Sequence, residues 1–155
     1  MCTTTEAAKT IRAALKMRGI TSRQVSVRSD LYSLGSTIRV TIKDAAVSFD
    51  VVKEIAQGHQ RVSRCEITGE ILGGGNRYVT VDYADGAIDV FAEEVRAAIE
   101  AQGEYRRPDA AIRPSCERGY YDVRAGDWEG QCWGVEHAAR QVAKKVGTTH
   151  VVAAA

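Results

Sequence analysis

The residues from Cys65 to Tyr83, CEITGEILGGGNRYVTVDY, place three glycines and an asparagine between two runs that alternate apolar and polar side chains. Glycine adopts positive φ at low cost and asparagine tolerates it, so residues 73–76 can reverse the backbone with the twist that antiparallel strands require. The pattern predicts a hairpin of two strands, 62–72 and 77–83. Gly69 is expected to mark a bulge in the first strand.

Outward from this hairpin, periodicity predicts three helices and two more strands. The predicted helices are 5–18, 48–58 and 85–103, and the predicted strands are 24–28 and 37–43. The connection 29–36 is rich in apolar side chains, and we expect Tyr32 and Leu34 to fold back onto the domain. The order α-β-β-α-β-β-α predicts an α+β fold, with a four-stranded, mainly antiparallel sheet and its helices on one face.

The character of the chain changes after Gly103. Residues 104–117 combine arginines and two prolines with little periodicity, which predicts an exposed, partly irregular basic arm. Residues 120–123 are a candidate short strand, Trp128 and Trp133 are predicted to flank a glycine-rich turn, and 135–146 is a predicted helix. We therefore predict a core domain at 1–103, with the arm and C-terminal helix at 104–155 packed on the same domain.

Composition sets the limits on function. The chain has 155 residues, of which 45% are hydrophobic, and its 21 basic and 20 acidic residues give a net charge of +1. This balance provides no global attraction to nucleic acid or anionic lipid, so any electrostatic partner must be recognised by a local patch. We find neither a signal peptide nor an apolar run long enough for a membrane span, which predicts a cytoplasmic protein without membrane contact. The four cysteines include no Cys-x-x-Cys pair and are predicted to be free thiols.

Three blocks of the sequence resemble a known family. They are IRAALK from Ile11, VSVRSDLYSLGSTIRV from Val25, and TGEILGGGN from Thr68. They are similar to the large polyvalent protein-associated domain of the twenty-ninth type, found in phages and conjugative elements, and the resemblance covers about residues 5–100. It implies an accessory protein of a mobile element that acts on host factors or host defence, with no known catalysis. The positions that match the family pattern are Ser26, Val27, Arg28, Ser29, Tyr32, Ser33, Gly35, Ser36, Ile38 and Val40.

Two groups of residues are candidates for binding a partner. Arg28 and Arg39 are predicted on the outer face of one sheet, where guanidinium groups can receive phosphate or an acidic surface. Tyr32 and Tyr78 are candidates for stacking on a base, with packing at a sheet edge as the alternative. The basic arm combines phosphate-binding and stacking side chains, diluted by acidic residues. Its arginines are Arg106, Arg107, Arg113, Arg118 and Arg124, interleaved with Tyr105, Tyr120 and Tyr121.

Signals for catalysis or cofactor binding are weak. The glycine run lacks the lysine and the following helix of a phosphate-binding loop, which indicates a structural role. Cys132, with His137 as base and Asp127 as orienting group, is the best enzyme hypothesis, because a thiol needs a nearby base to ionise. A zinc site would have to combine Cys116, Cys132, His137 and His150, whose spacing fits no compact metal motif. We predict no catalytic residue, no cofactor and no metal.

The sequence therefore predicts a non-enzymatic accessory protein of a phage or mobile element that binds a host macromolecule. A host-defence protein is the first candidate partner, with inhibition of CRISPR or a comparable system as the concrete form. A nucleic-acid-binding accessory protein is the alternative, and a cysteine-dependent enzyme is the third possibility. A homodimer, formed through an edge strand or the tryptophan region, is also left open.

Overall fold

The computed structural model describes residues 3–148. The chain has an α+β fold, as predicted, and it divides into two compact units. The first unit comprises residues 1–43 and 51–82, and the second comprises 44–50 and 83–155. The sequence-based boundary at Gly103 falls inside the second unit, directly after a helix.

The first unit contains two helices and a three-stranded sheet of order β1-β2-β3. Its elements are α1 (Thr4–Met17), β1 (Val25–Tyr32), β2 (Gly35–Ile42), α2 (Phe49–Gln57), whose first residues belong to the second unit, and β3 (Asn76–Tyr83). Helix α1 begins with a capping box, in which the Thr3 side chain accepts from the Glu6 backbone N–H and the Glu6 carboxylate accepts from the Thr3 backbone. Burial of Ile11 and Leu15, together with alternating residues of β1 and β2, forms the core of this unit.

The second unit contains two helices and a four-stranded antiparallel sheet of order β4-β5-β6-β7. Its elements are α3 (Asp89–Gln102), β4 (Tyr105–Arg107), β5 (Ala110–Pro114), β6 (Tyr120–Ala125), β7 (Trp128–Trp133) and α4 (Val135–Val146). Both helices pack against this sheet. The alternation of Val123 and Ala125 inward with Asp122 and Arg124 outward gives the sheet one covered face and one open face.

The C-terminal region differs most from its prediction. Residues 104–117 do not form an irregular arm, because they contain β4 and β5, joined through Pro108 and Asp109. Trp128 and Trp133 do not flank a turn but are the two ends of β7. The four-stranded sheet with helices on one face is thus built from 105–133, while the region predicted to form it has three strands. The candidate strand at 120–123 is confirmed within β6.

The hairpin predicted around the glycines is also different. Residues 62–72 form no regular strand, and the chain is bridged at Arg61–Arg77 and at Arg64–Ile71. The reversal lies at 66–69, where the Gly69 N–H donates to the Cys65 carbonyl. The two bridged positions are three residues apart on the first segment, 61 and 64, but six residues apart on the second, 71 and 77. Residues 73–75 therefore form an extra loop between the two bridges. Strand structure fails here because the segment buries no apolar face, and Ile67 is 94% exposed.

The base of this glycine loop is held by a buried asparagine. The Asn76 side-chain oxygen accepts from the Ser63 backbone N–H at 2.8 Å, and its amide nitrogen donates to the Leu72 carbonyl at 2.8 Å. The Asn76 side chain therefore links the start of the loop, at Leu72, to the facing segment, at Ser63, and Asn76 itself does not adopt the positive φ of a turn residue.

The prediction of a connection at 29–36 was also wrong. Strands β1 and β2 continue through this segment and meet at the Tyr32–Gly35 pair, so the turn is only Ser33 and Leu34. Tyr32 and Leu34 do not fold back onto the unit, because Leu34 is 71% exposed and Tyr32 is also exposed. The backbone pairing of β1 and β2 continues through this segment although its apolar side chains stay exposed.

Candidate functional site

The open face of the four-stranded sheet forms a concave surface in the second unit. Its side chains come from β4, β5, β6 and β7 and line a groove of about 590 Å³. Strand pairing arranges them in two rows across the sheet. One row is Arg106, Ala111, Arg124 and Glu129, and the other is Arg113, Asp122 and Gln131.

Charges on the open face are mixed. The carboxylate of Glu104, just before β4, forms ion pairs with Arg106 at 3.1 Å and with Arg113 at 3.8 Å. Asp122 accepts a hydrogen bond of 2.8 Å from Gln131, which also donates to the Ser115 hydroxyl. These contacts order the second row of side chains.

Arg124 lies in the other row, opposite Glu129 on β7. Within residues 3–148 it forms no salt bridge. Its guanidinium is exposed on the groove wall and keeps its donors available to a partner.

An aromatic pair stands at one end of the open face. Tyr120 and Trp133 are opposite each other on β6 and β7, with ring centroids 5.3 Å apart at 72°. The Trp133 ring also lies against Gly119, where an added Cβ would come within 2.4 Å of the ring. Trp133 is nevertheless 63% exposed, so it presents a large apolar surface in a fixed orientation.

The predicted arginines of the basic arm separate into exposed and buried residues. Arg106, Arg113 and Arg118 are exposed, and the first two belong to the open face. Arg107 is buried, which contradicts its predicted role as a surface contact. Strand alternation explains the difference, because neighbouring residues of β4 point to opposite faces.

Arg107 instead connects the sheet to the end of α4. Its Nε lies 2.7 Å from a carboxylate oxygen of Asp109, within ion-pair distance but outside hydrogen-bond alignment. Its terminal nitrogens donate to the carbonyls of Val146, Gly147 and Thr148. A cation at the carboxyl end of a helix is stabilising, so Arg107 is a structural residue.

The predicted positions of the candidate binding residues in the first unit are confirmed in part. Arg28 and Arg39 are directly opposite on β1 and β2 and both are exposed, which confirms that they share an outer sheet face. Arg39 also lies 3.5 Å from Asp30. Tyr32 is exposed and shares a hydrogen bond of 3.3 Å with Thr37, whereas Tyr78 on β3 is half-buried.

The geometry disfavours Cys132 as a nucleophile. Its side chain is 2% exposed, and burial raises the pKa of its thiol, so the reactive thiolate is disfavoured at neutral pH. His137 is exposed on α4 and shares a hydrogen bond with Gln141. Among residues 3–148 no three His, Cys, Asp or Glu side chains are placed to hold a metal ion, and His150 lies outside the described residues.

Sequence reasoning missed the role of β7 in this face. Gly126–Asp127 between two alternating runs is a recognised two-residue hairpin signal, and Pro108–Asp109 is a turn signal. With these two turns recognised, the alternation of the flanking strands would have placed Arg124, Gln131 and Trp133 on one surface.

Three comparisons give no relative for this chain: no family model, no curated protein and no solved structure matches it. The resemblance to the phage-associated domain therefore stays a prediction. No helix within residues 3–148 has the length and apolar character to cross a membrane.

Proposed function

We propose that this chain is a non-enzymatic binding protein whose open face docks a partner protein. The observation that carries the proposal is Trp133, a tryptophan exposed on an uncovered sheet and held in place by Gly119 and Tyr120. Tryptophan, tyrosine and arginine dominate the binding energy of protein interfaces. Because the ring is already fixed, a partner loses little of this energy to ordering it.

Charge favours a protein over a nucleic acid as the partner. Arg106, Arg113 and Arg124 are balanced on or beside the open face by Glu104, Asp122 and Glu129. Nucleic-acid binding requires a net positive surface, because phosphate neutralisation supplies most of its affinity. A face of mixed charge with an aromatic anchor resembles a protein interface instead.

The family resemblance supplies the expected partner. The resemblance implies that the partner is a host protein, and the first candidate is a component of a host-defence system such as CRISPR. The protein would then act in the cytoplasm of the host cell. A second copy of the chain is a further possible occupant of the exposed Trp133 surface.

Nucleic-acid binding is retained as the second candidate because of Arg124. This residue forms no salt bridge within the described chain and lies on the same face as the Tyr120–Trp133 pair. A guanidinium and exposed aromatic rings on one sheet face are suited to a single strand with one stacked base.

The test uses two single variants in the full chain. Trp133→Ala removes the aromatic anchor, and Val90→Ala is the control, because Val90 is also a strongly exposed apolar residue but lies on α3. Proteins captured from host lysate by the wild type are identified by mass spectrometry, and the candidate is then purified. We expect Trp133→Ala to weaken its binding by about 2 kcal/mol, or about 30-fold, and Val90→Ala to have no effect.

Two results would contradict the proposal. Equal affinity of the Trp133→Ala variant and the wild type for the purified partner would exclude the open face as the docking surface. Tighter binding of a single-stranded oligonucleotide than of any protein, with affinity falling steeply as salt is added, would favour the second candidate.

A further inference from the structure

The first unit has a groove that is separate from the surface described above. It runs between α1 and β1, has a volume of about 480 Å³, and ends at the 18–24 connection. Leu15, Ile20, Val25 and Val27 provide apolar lining, and Arg12 and Lys16 provide charge. The groove therefore combines an apolar floor with cationic side chains from one helix.

Strand β1 is the outer strand of its sheet, so within residues 3–148 one side of its backbone has no neighbouring strand. The Lys43 N–H donates to the Gln24 carbonyl, which places the backbone groups of Gln24 toward β2. Because these groups alternate along an antiparallel strand, those of Val25 and Val27 point toward the outer edge. Two contacts agree with this assignment: the Val25 N–H donates to the Thr21 carbonyl at 3.0 Å, and Arg12 donates to the Val27 carbonyl at 2.6 Å.

The same alternation places two further backbone groups on the outer edge of β1, in two residues that line the groove and are 3% and 6% exposed. They are the Val25 carbonyl and the Val27 N–H, one acceptor and one donor, separated by one residue. A parallel added strand requires this pattern from an edge, because one residue of the incoming chain donates its N–H to the Val25 carbonyl and accepts from the Val27 N–H.

The charge of the residues around the groove indicates which kind of peptide it can bind. Residues 9–23 contain five cations and no carboxylate, in a protein whose net charge is only +1. None of these five forms a salt bridge within residues 3–148. They are Lys9, Arg12, Lys16, Arg18 and Arg23.

We infer that this groove binds an extended acidic peptide, which adds as a strand to the edge of β1. Alternate apolar side chains of the peptide lie on the floor formed by Leu15, Ile20 and Val25, and its carboxylates contact Lys16 and Arg12. A peptide uses all three features of the groove, namely the apolar floor, the edge groups and the cations. A phosphate backbone uses only the last, which favours the peptide over a nucleic acid.

The test uses the full chain and a defined probe. The probe is a capped ten-residue peptide that alternates valine and glutamate, titrated while amide signals of the protein are recorded by NMR. We expect saturable binding with slower hydrogen exchange at the Val27 amide. Methylation of alternate peptide nitrogens is expected to abolish binding in one register, because it removes the donors that face the edge.

Charge variants provide the second readout. Lys16→Glu is expected to weaken binding of the peptide at least about tenfold, whereas Lys53→Glu, an exposed cation on α2, is expected to change it less than about twofold. Trp133→Ala is expected to leave peptide binding unchanged, so failure here and failure of the open-face proposal are distinguishable. These outcomes support binding of the peptide in the groove, and the amide exchange and methylation results support its addition as a strand.

Three results would overturn the inference. The first is equal binding of a peptide in which lysine replaces every glutamate. The second is insensitivity to backbone methylation in both registers. The third is tighter binding of a single-stranded oligonucleotide than of the acidic peptide, which would assign the cations of residues 9–23 to phosphate recognition.

Discussion

Arg106 and Arg107 are neighbours in sequence but opposite in structural role. Arg106 is exposed, with a solvent-screened ion pair to Glu104, while Arg107 is buried against Asp109 and the last carbonyls of α4. Replacing Arg107 by methionine keeps much of the volume but leaves the Asp109 carboxylate without its cation. We expect a loss of about 2–3 kcal/mol in the free energy of unfolding, measured by urea denaturation.

Arg106→Met is the matched control for this measurement. Exposed ion pairs contribute little, so its unfolding free energy is expected to stay within about 0.5 kcal/mol of the wild type. Equal effects of the two substitutions would show that burial of Arg107 does not contribute to stability.

The three described cysteines are expected to differ in reactivity. The Thr68 hydroxyl, followed by the backbone N–H groups of Thr68 and Ile67, lowers the pKa of the Cys65 thiol. The same hydroxyl donates to the Glu70 carboxylate at 3.3 Å. Burial raises the pKa of Cys132. A lower pKa increases the thiolate fraction at neutral pH, so iodoacetamide should modify Cys65 several-fold faster than exposed Cys116 and modify Cys132 last.

Thr68→Val separates this effect from simple exposure. The substitution removes the hydroxyl donor, so the Cys65 pKa should rise and its alkylation at neutral pH should slow, with little change at Cys116. Peptide mapping by mass spectrometry gives all three rates in one experiment. If Cys132 reacted fastest, the cysteine-enzyme hypothesis would regain support.

At the scale of elements, Gly119 connects the β5–β6 loop to the aromatic pair. Its φ is +84°, and an added Cβ would lie 2.4 Å from the Trp133 ring. Gly119→Ala therefore combines backbone strain with displacement of the ring. We expect about 2–3 kcal/mol of destabilisation, together with weaker binding of any partner that contacts Trp133.

Gly134→Ala isolates the backbone contribution. Gly134 has a similar φ of +78°, but no atom of residues 3–148 lies within 4 Å of the position of its added Cβ. Its φ of +78° and ψ of 153° lie in a backbone region that is nearly restricted to glycine, so this variant should lose about 1–3 kcal/mol, and it should retain partner binding. Both quantities come from chemical denaturation and a titration with the purified partner. Equal partner affinities for the two variants would show that the position of the Trp133 ring does not matter.

All four helices were predictable from sequence because each carries an amphipathic pattern that tertiary packing reinforces. The strands were predictable only where alternation coincided with burial, as in β2 and β3. Residues 62–72 alternate without burying a face, and Gly73–Asn76 combine turn residues whose loop is held by the Asn76 side chain. Which glycine cluster reverses the chain depends on pairing between distant residues, and local propensity does not encode it.

The candidate site was harder to predict for the same reason. Five arginines within twenty residues indicated a basic surface, but strand alternation buries Arg107. Carboxylates also lie next to other arginines of this group, Asp122 opposite Arg113 and Glu104 beside Arg106. The cation run at 9–23 was readable in the sequence, and only the groove beside β1 indicates what it could contact.

At the scale of the whole molecule, helix α3 depends on residues that follow Gly103. Its buried side chains include Phe91, whose ring meets Tyr105 edge-on at a centroid distance of 5.8 Å. It also contacts α4, β4 and β5, all of which belong to the second unit. The predicted core domain at 1–103 therefore ends with a helix whose packing partners lie outside it.

This dependence predicts the behaviour of two fragments. A 14-residue helix is marginal in water without tertiary packing, so the fragment 1–103 should leave α3 unfolded. Its circular dichroism should indicate the same number of helical residues as the fragment 1–82, which contains α1 and α2 but not α3. Exposure of Phe91 and Val95 should also make 1–103 the more aggregation-prone of the two. An additional helical signal of about one α3 length in 1–103, with slow amide exchange at Val95, would instead establish that the first hundred residues fold without the second sheet.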